Sequence, residues 1–378
     1  MRWIYLDYNA TTPIAPSVQE AMLPFLAQRY GDPASGHVLG RICQEAIEDA
    51  RGQVAMLLGA DRDEIVFTSS GTEANNLALK GVLLQRSPGG SGHIVVSALE
   101  HAAVTEPARF LERIGYDLSI VHCNRQGVID PAAVAAALRH DTVLVSIMQA
   151  NNEIGTIQPI AEIARLCHER DVLMHTDAAQ TVGKLRVNVD ELEVDLLSLS
   201  GHKLYAPKGV GALFVRRGIA LEPVIHGAGH ERGLRSGTEN VPAIVGLGRA
   251  AVLAGKSLVE AGERLASIRD RLLMRLREEV GPELMIHGEH APRLPNTLSV
   301  SFPGVAADDL LGRVPELCAA SGAACHRHAL AMSPTLAAIG LEPDDARGTI
   351  RFSVGWYTTD EEIERAASLL VAAWEDLK

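Results

Sequence analysis

The chain has 378 residues, 47% of them hydrophobic and 22% charged, an ordinary globular composition that rules out a disordered or fibrous protein. Lys and Arg number 35 against 47 Asp and Glu, a net charge of −12, which argues against a general nucleic-acid or anionic-membrane binder. At roughly 100–200 residues per domain the length predicts two domains.

The N-terminus, Met1-Arg2-Trp3-Ile4-Tyr5-Leu6-Asp7, lacks the apolar core of a signal peptide. No run reaches the roughly 18 uninterrupted apolar residues of a membrane span, so a cytoplasmic protein is expected. After a short N-terminal strand, helical periodicity covers 18–26 and 40–58. Short apolar runs at 65–67, 93–97, 118–122, 142–148, 173–176, 196–200 and 211–215 then read as strands. Helical segments at 73–84, 104–114, 131–138 and 160–170 lie between several of them, and 87–92 reads as a loop. Strand–helix alternation with apolar strands predicts a mostly parallel seven-stranded sheet covered by helices. Near Ala250 the pattern changes. A long charged amphipathic helix at 256–280 leads into strands at 297–302 and 349–354, a short helix at 308–314 and a final helix at 359–377. The expected organisation is a large α/β domain, 13–250, and a smaller α+β domain made of 1–12 and 251–378.

Three strand ends carry candidate chemistry. In Thr68-Ser69-Ser70-Gly71-Thr72-Glu73 a strand gives way to a helix, and Ser70 and Glu73 have capping-box spacing. Free N–H groups beside Gly71 and the Thr72 hydroxyl suit a phosphate, though an ordinary capped helix has the same signature. In His175-Thr176-Asp177-Ala178-Ala179-Gln180 an acid follows an apolar strand, at the edge where open α/β sheets bind ligands. A carboxylate there can hold a pyridinium nitrogen protonated; the alternative is another helix cap. In Ser200-Gly201-His202-Lys203 a strand end presents a lysine, a Schiff-base nucleophile when its pKa is lowered and otherwise a solvated group. Lys208, in the following Pro/Gly turn, reads as structural. Phosphate turn, acid and loop lysine in that order suggest a pyridoxal-phosphate enzyme of the aminotransferase-like fold (fold type I).

On these stretches, with Leu6-Asp7-Tyr8-Asn9-Ala10-Thr11-Thr12-Pro13, Asn151-Asn152-Glu153-Ile154-Gly155 and Gly229-His230-Glu231-Arg232-Gly233-Leu234-Arg235-Ser236-Gly237-Thr238-Glu239-Asn240, the chain closely resembles the NifS/IscS-type cysteine desulfurases of the class V aminotransferase group. The resemblance implies that L-cysteine is converted to L-alanine with pyridoxal 5'-phosphate as cofactor. Lys203 would hold the cofactor as a Schiff base, Asp177 would pair with the ring nitrogen, Gln180 would bond the ring hydroxyl and His101 would stack on the ring. Gly71, Thr72, Ser200 and His202 would surround the phosphate. Thr238 would reach the phosphate of a neighbouring subunit, implying a homodimer. Asn152, also a cofactor neighbour, and Arg351 would bind the substrate carboxylate. Without the resemblance, His101 reads as a core histidine and Arg351 as a surface ion pair.

The five cysteines are an odd, sparse set without a CxxC pair, so most are expected to be reduced and buried. Cys43, Cys123, Cys167 and Cys318 read as structural. Cys325 falls at the position of the family's reactive cysteine. It would take the substrate sulfur as a persulfide and pass it to a thiol acceptor protein. Its neighbours His326, Arg327 and His328 can favour the thiolate. A metal site formed with His326 and His328 lacks normal zinc spacing, and no metal is expected. Two departures stand out. Gly322-Ala323-Ala324-Cys325-His326 and Ser333-Pro334-Thr335-Leu336 look like selenocysteine lyases, which makes L-selenocysteine the alternative substrate. Trp356 stands where many relatives have Arg, and the chain stops soon after its last helix, which puts delivery to an iron–sulfur scaffold in doubt. A small amino-acid aminotransferase or a non-catalytic scaffold of the same fold are the remaining readings.

Overall fold

A computed structural model describes residues 3–322 and 332–378. Seven strands, Ile65–Thr68 (β1), His93–Ser97 (β2), Asp117–Val121 (β3), Thr142–Ser146 (β4), Leu173–Asp177 (β5), Leu196–Ser200 (β6) and Gly211–Val215 (β7), form one sheet in the order β1-β7-β6-β5-β4-β2-β3. β2 to β6 are parallel, and β7 lies antiparallel between β1 and β6. β2, β5, β6 and β7 are buried at every position, as expected of strands covered on both faces. β3, at the edge, is mostly open.

Alternation along each strand feeds two cores. Val66, Ile94, Val96, Leu196 and Leu213 pack on one face with Leu77, Leu79 and Leu83 of the helix Gly71–Arg86. Phe67, Val95, Met174, Leu197 and Phe214 pack on the other with the helix Val38–Leu58 and the first turns of Val241–Val280. Each large side chain fully buried there stabilises the fold by about 1.5–3 kcal/mol relative to exposure.

A smaller antiparallel sheet runs Ala320–Ser321, Thr349–Ser353, Thr297–Ser301, Met285–Ile286. It shares a third core, around Leu298, Phe302 and Phe352, with the helices Ala307–Arg313 and Asp360–Leu377. Ile4–Tyr5 pairs with Leu317–Cys318, tying the N-terminus to this part.

The long helix differs from expectation. It runs unbroken over Val241–Val280 instead of starting at 256, so it crosses the expected boundary at 250. Ile244, Leu247 and Ala251 belong to the core under the large sheet, and Leu265, Leu272 and Leu276 to the core of the small one. It also contains an 18-residue window of mean hydropathy 1.3, apolar enough to cross a membrane by composition, half of it buried in the protein. The short helices Pro334–Ala338 and Pro343–Arg347 were not expected; a single turn shows no periodicity. Cys43 and Cys167 are buried, whereas Cys123 and Cys318 are half-buried, and all four are free thiols. Burial pushes the Cys167 thiol up to about 12.

Candidate active site

The carboxyl ends of β1, β2, β4, β5 and β6 open on one side of the large sheet, and a cavity of about 370 Å³ lies there. Gly71, Thr72, His101, Asn152, Asp177, Gln180, Ser200, His202, Lys203 and Arg351 all line it. Thr238 does not: it is exposed and lines a separate small pocket with Thr68, Ser69 and Arg235. Cys325, with His326, Arg327 and His328, lies outside the described residues.

Each side chain arrives for a local reason. Ser70 caps the helix Gly71–Arg86 by accepting the Glu73 N–H, which leaves the N–H groups of Gly71 and Thr72 without intrahelical acceptors. The expected capping box is only half formed, because the Glu73 carboxylate accepts from Ser69 N–H and Arg235. A Cβ on Gly71 would stand 3.1 Å from Ser200 Cβ; glycine leaves that gap as part of the cradle. His101 is itself the N-cap of the helix Ala102–Arg113, its Nδ1 accepting the Ala103 N–H at 3.0 Å. With Nδ1 accepting, the neutral ring carries its proton on Nε2.

Asp177 ends β5 and is nearly buried. It accepts from Asn75 Nδ2 at 2.7 Å and from the Ala179 N–H at 2.9 Å. It therefore caps a turn, not a helix. Lys203 lies in the 3₁₀ turn Gly201–Lys203 after β6, its Nζ held by the carbonyls of Asn9 and Ala10, each at 2.6 Å. Burial, with Lys203 and Lys208 nearby, drives His202 down to about 4, so its ring is neutral and meets Thr11 Oγ1 at 3.1 Å. Lys208 is exposed, as its turn suggested.

Arg351, from the small sheet, pairs with Asp7 at 2.6 Å and donates to the Asn152 carbonyl at 3.2 Å. Its buried Nε has no partner among the described residues, so the guanidinium keeps a donor for a further acceptor. Trp356 stacks flat on Tyr205, with ring centroids 3.8 Å apart.

Five further residues support the site without having been singled out in sequence. Asn9 is the hub, accepting or donating to Asn152, Lys184, Asn296 and Thr297 through its side chain. Asp7 orients Arg351, Asn75 braces Asp177, and Lys184 contacts Gln180. Glu100 lies buried beside His101, accepting from Ser97 Oγ at 2.5 Å and the Met148 N–H at 2.8 Å. The nearest signals were position alone: Asp7 and Asn9 fall in 6–13, Asn75 follows the phosphate turn, and Lys184 stands four residues after Gln180.

Residues 4–366 match the family model described as Aminotransferase class-V. A curated relative from Dictyoglomus turgidum, named cysteine desulfurase IscS, is 45% identical over all of this chain and 96% of its own length. A solved structure described as a NifS-like protein superposes with a TM-score of 0.90 at 37% identity, covering 100% of this chain and 99% of its own. Another, described as SspA in complex with cysteine, has a TM-score of 0.83 at 37% identity over 94% of this chain and 99% of that one.

Proposed function

Because the chain belongs to the aminotransferase class-V family, we infer that it is a pyridoxal-phosphate-dependent cysteine desulfurase, the activity named for its full-length curated relative. The observation that carries the reading is the meeting of Lys203, Asp177, His101 and Arg351 around one cavity at the carboxyl edge of the sheet. Those residues fit the cofactor: a buried carboxylate for a ring nitrogen, an amine for an aldehyde, and a helix N-terminus with Gly71, Thr72 and Ser200 for a phosphate. When bound, pyridoxal phosphate supplies an electron sink for charge leaving the substrate α-carbon.

Lys203 Nζ would hold the cofactor and, when freed by the substrate amine, would take the substrate α-proton. Asp177 would keep the ring nitrogen protonated, Gln180 would meet the ring hydroxyl, and His101 would lie against the ring with Nε2–H available to carry a proton. The free edge of Arg351, held by Asp7, receives the substrate carboxylate beside Asn152; a planar guanidinium suits that task. The thiolate of Cys325 attacks the substrate sulfur and the C–S bond breaks. Alanine leaves with a proton on Cβ and Cys325 keeps the sulfur as a persulfide. A thiol on an acceptor protein then removes it, chemistry that suits the reducing cytoplasm. Thr238, exposed on one chain, reaches the phosphate site of a second copy in a homodimer. Residues 1–12 and 251–378, apart from the part of the long helix that packs under the large sheet, act as the smaller unit that carries Cys325.

The test is a brief exposure of cofactor-loaded protein to L-cysteine, followed by peptide mass analysis and an alanine assay. One added sulfur on the Cys325 peptide, with alanine formed, is expected, and Cys325→Ala should abolish both. Alanine absent and Cys325 unmodified overturns the reading.

A further inference from the structure

Lys184 is the one buried lysine beside the cavity, among the described residues, that the chemistry above does not use. Its Nζ donates to Gln180 Oε1 at 2.7 Å and to Asn9 Oδ1 at 3.1 Å. Among the described residues no carboxylate meets it; the charges felt there are the cations Lys203 and Arg351. Burial first, and those cations second, push its pKa far down. The two amide oxygens accept the N–H groups that Nζ aims at them, so the buried amine is hydrogen-bonded without a carboxylate partner.

Asn9 cannot turn to offer Lys184 its NH2 group. Its Oδ1 also accepts from Asn296 Nδ2 at 3.0 Å, and its Nδ2 donates to Thr297 Oγ1 at 2.8 Å. Gln180 is held at both ends: Lys184 donates to its oxygen, and the Asn9 carbonyl accepts from its nitrogen. Its Nε2 donates one N–H to the Asn9 carbonyl at 3.0 Å, and a carboxamide nitrogen has two. The other is left for the cavity that Gln180 lines.

We propose that Lys184 is a positioning residue: by donating to Gln180 Oε1, opposite the Asn9 carbonyl that accepts from Nε2, it holds that carboxamide with N–H, never C=O, toward the cavity. This rests on the reading that Gln180 meets the cofactor's ring hydroxyl. A donor at that oxygen stabilises its ionised form and so lowers the pH at which the lysine-bound cofactor loses its proton.

The experiment follows the visible absorption of the cofactor-loaded protein against pH, which reports that proton without turnover. Lys184→Met removes the donors and is expected to raise the midpoint by about one unit, the size of one lost hydrogen bond to a charged oxygen. Lys184→Gln is one atom shorter and both donates and accepts, so it no longer holds Gln180 as the amine does; it should move the midpoint in the same direction. It decides the matter where the Met variant does not fold. A purely structural lysine would change the melting temperature and leave the midpoint at the wild-type value in both variants, which overturns the proposal. Gln180→Leu separates the two levels. If it shifts the midpoint while neither Lys184 variant does, the positioning role is wrong and the cofactor pose stands. If Gln180→Leu does not shift it, the pose fails and the proposal with it.

Discussion

At the scale of single residues, Glu100 shows how the chain places an acid where water cannot reach it. One carboxylate oxygen accepts from Ser97 and the Met148 N–H, while Oε2 is buried with no partner among the described residues. Desolvation outweighs those hydrogen bonds and, helped by nearby Asp177, lifts the pKa from 4.5 to about 8. The native state thus binds this proton more tightly than the unfolded chain does. Its stabilising contribution is full below the unfolded value near 4.5 and is lost as pH rises to about 8. Glu100→Gln keeps both accepted bonds on its oxygen and cannot ionise. Its melting temperature should therefore exceed the wild type's above about pH 8 by several degrees, with the gap closing below about pH 4.5. Thermal melts across that window check this, and a gap independent of pH would show that Glu100 is ionised throughout.

At the scale of elements, the segment leading to Thr238 is pinned by two acids, Glu73 through Arg235 and, more deeply buried, Glu231. Glu231 receives both terminal nitrogens of Arg51, at 2.7 and 2.9 Å, and the Phe67 N–H of β1 at 2.8 Å. Glu231 and Arg232 both hold left-handed backbone, φ 47° and 57°, which side-chain-bearing residues adopt only when surroundings compel them. Both partners of the pair are almost fully buried; Glu231→Gln leaves Arg51 with Glu48 at 3.0 Å and the Ile65 carbonyl, and should cost about 1.5–3 kcal/mol, the worth of a hydrogen bond between charged groups. Urea denaturation measures it; an unchanged midpoint would mean that the segment is anchored elsewhere. This anchor shows where reading along the chain stops. β2, β6 and β7 have the bounds expected from sequence, because continuous apolar runs there end in polar residues or glycine. The first half of Val241–Val280 was not expected as helix; Gly246 and Gly248 fall inside it, and glycine weakens a helical pattern. A Cβ on Gly248 would come 2.6 Å from Ala50 Cα, so the glycine serves close packing against Val38–Leu58. Lys203, Asp177 and Ser200 were legible because a strand end advertises them. Asn9, Lys184 and Asp7 were not, since their roles exist only where segments distant in sequence meet.

At the scale of the whole molecule, one chain's cavity accounts for every described residue expected to touch cofactor or substrate except Thr238. Thr238 instead sits exposed beyond the Glu231 anchor, on the rim of a pocket that Lys203 does not line. If two copies pair about a two-fold axis, each Thr238 completes the other's phosphate site, and the two halves of a site can be inactivated on different chains. Lys203→Ala removes the covalent anchor from a chain's own cavity. Thr238→Glu sets a carboxylate against the partner's phosphate. Each homodimer should be inactive. A hybrid pairs the intact Lys203 of one chain with the intact Thr238 of the other in one site, and both defects fall in the second site. Random exchange makes half the dimers hybrids, each with one good site, so alanine production should recover to about a quarter of the wild-type level. A mixture that is refolded together and stays inactive, with mixed dimers demonstrated by a tag on one chain, would place Thr238 in its own chain's chemistry and remove the reason for a shared site.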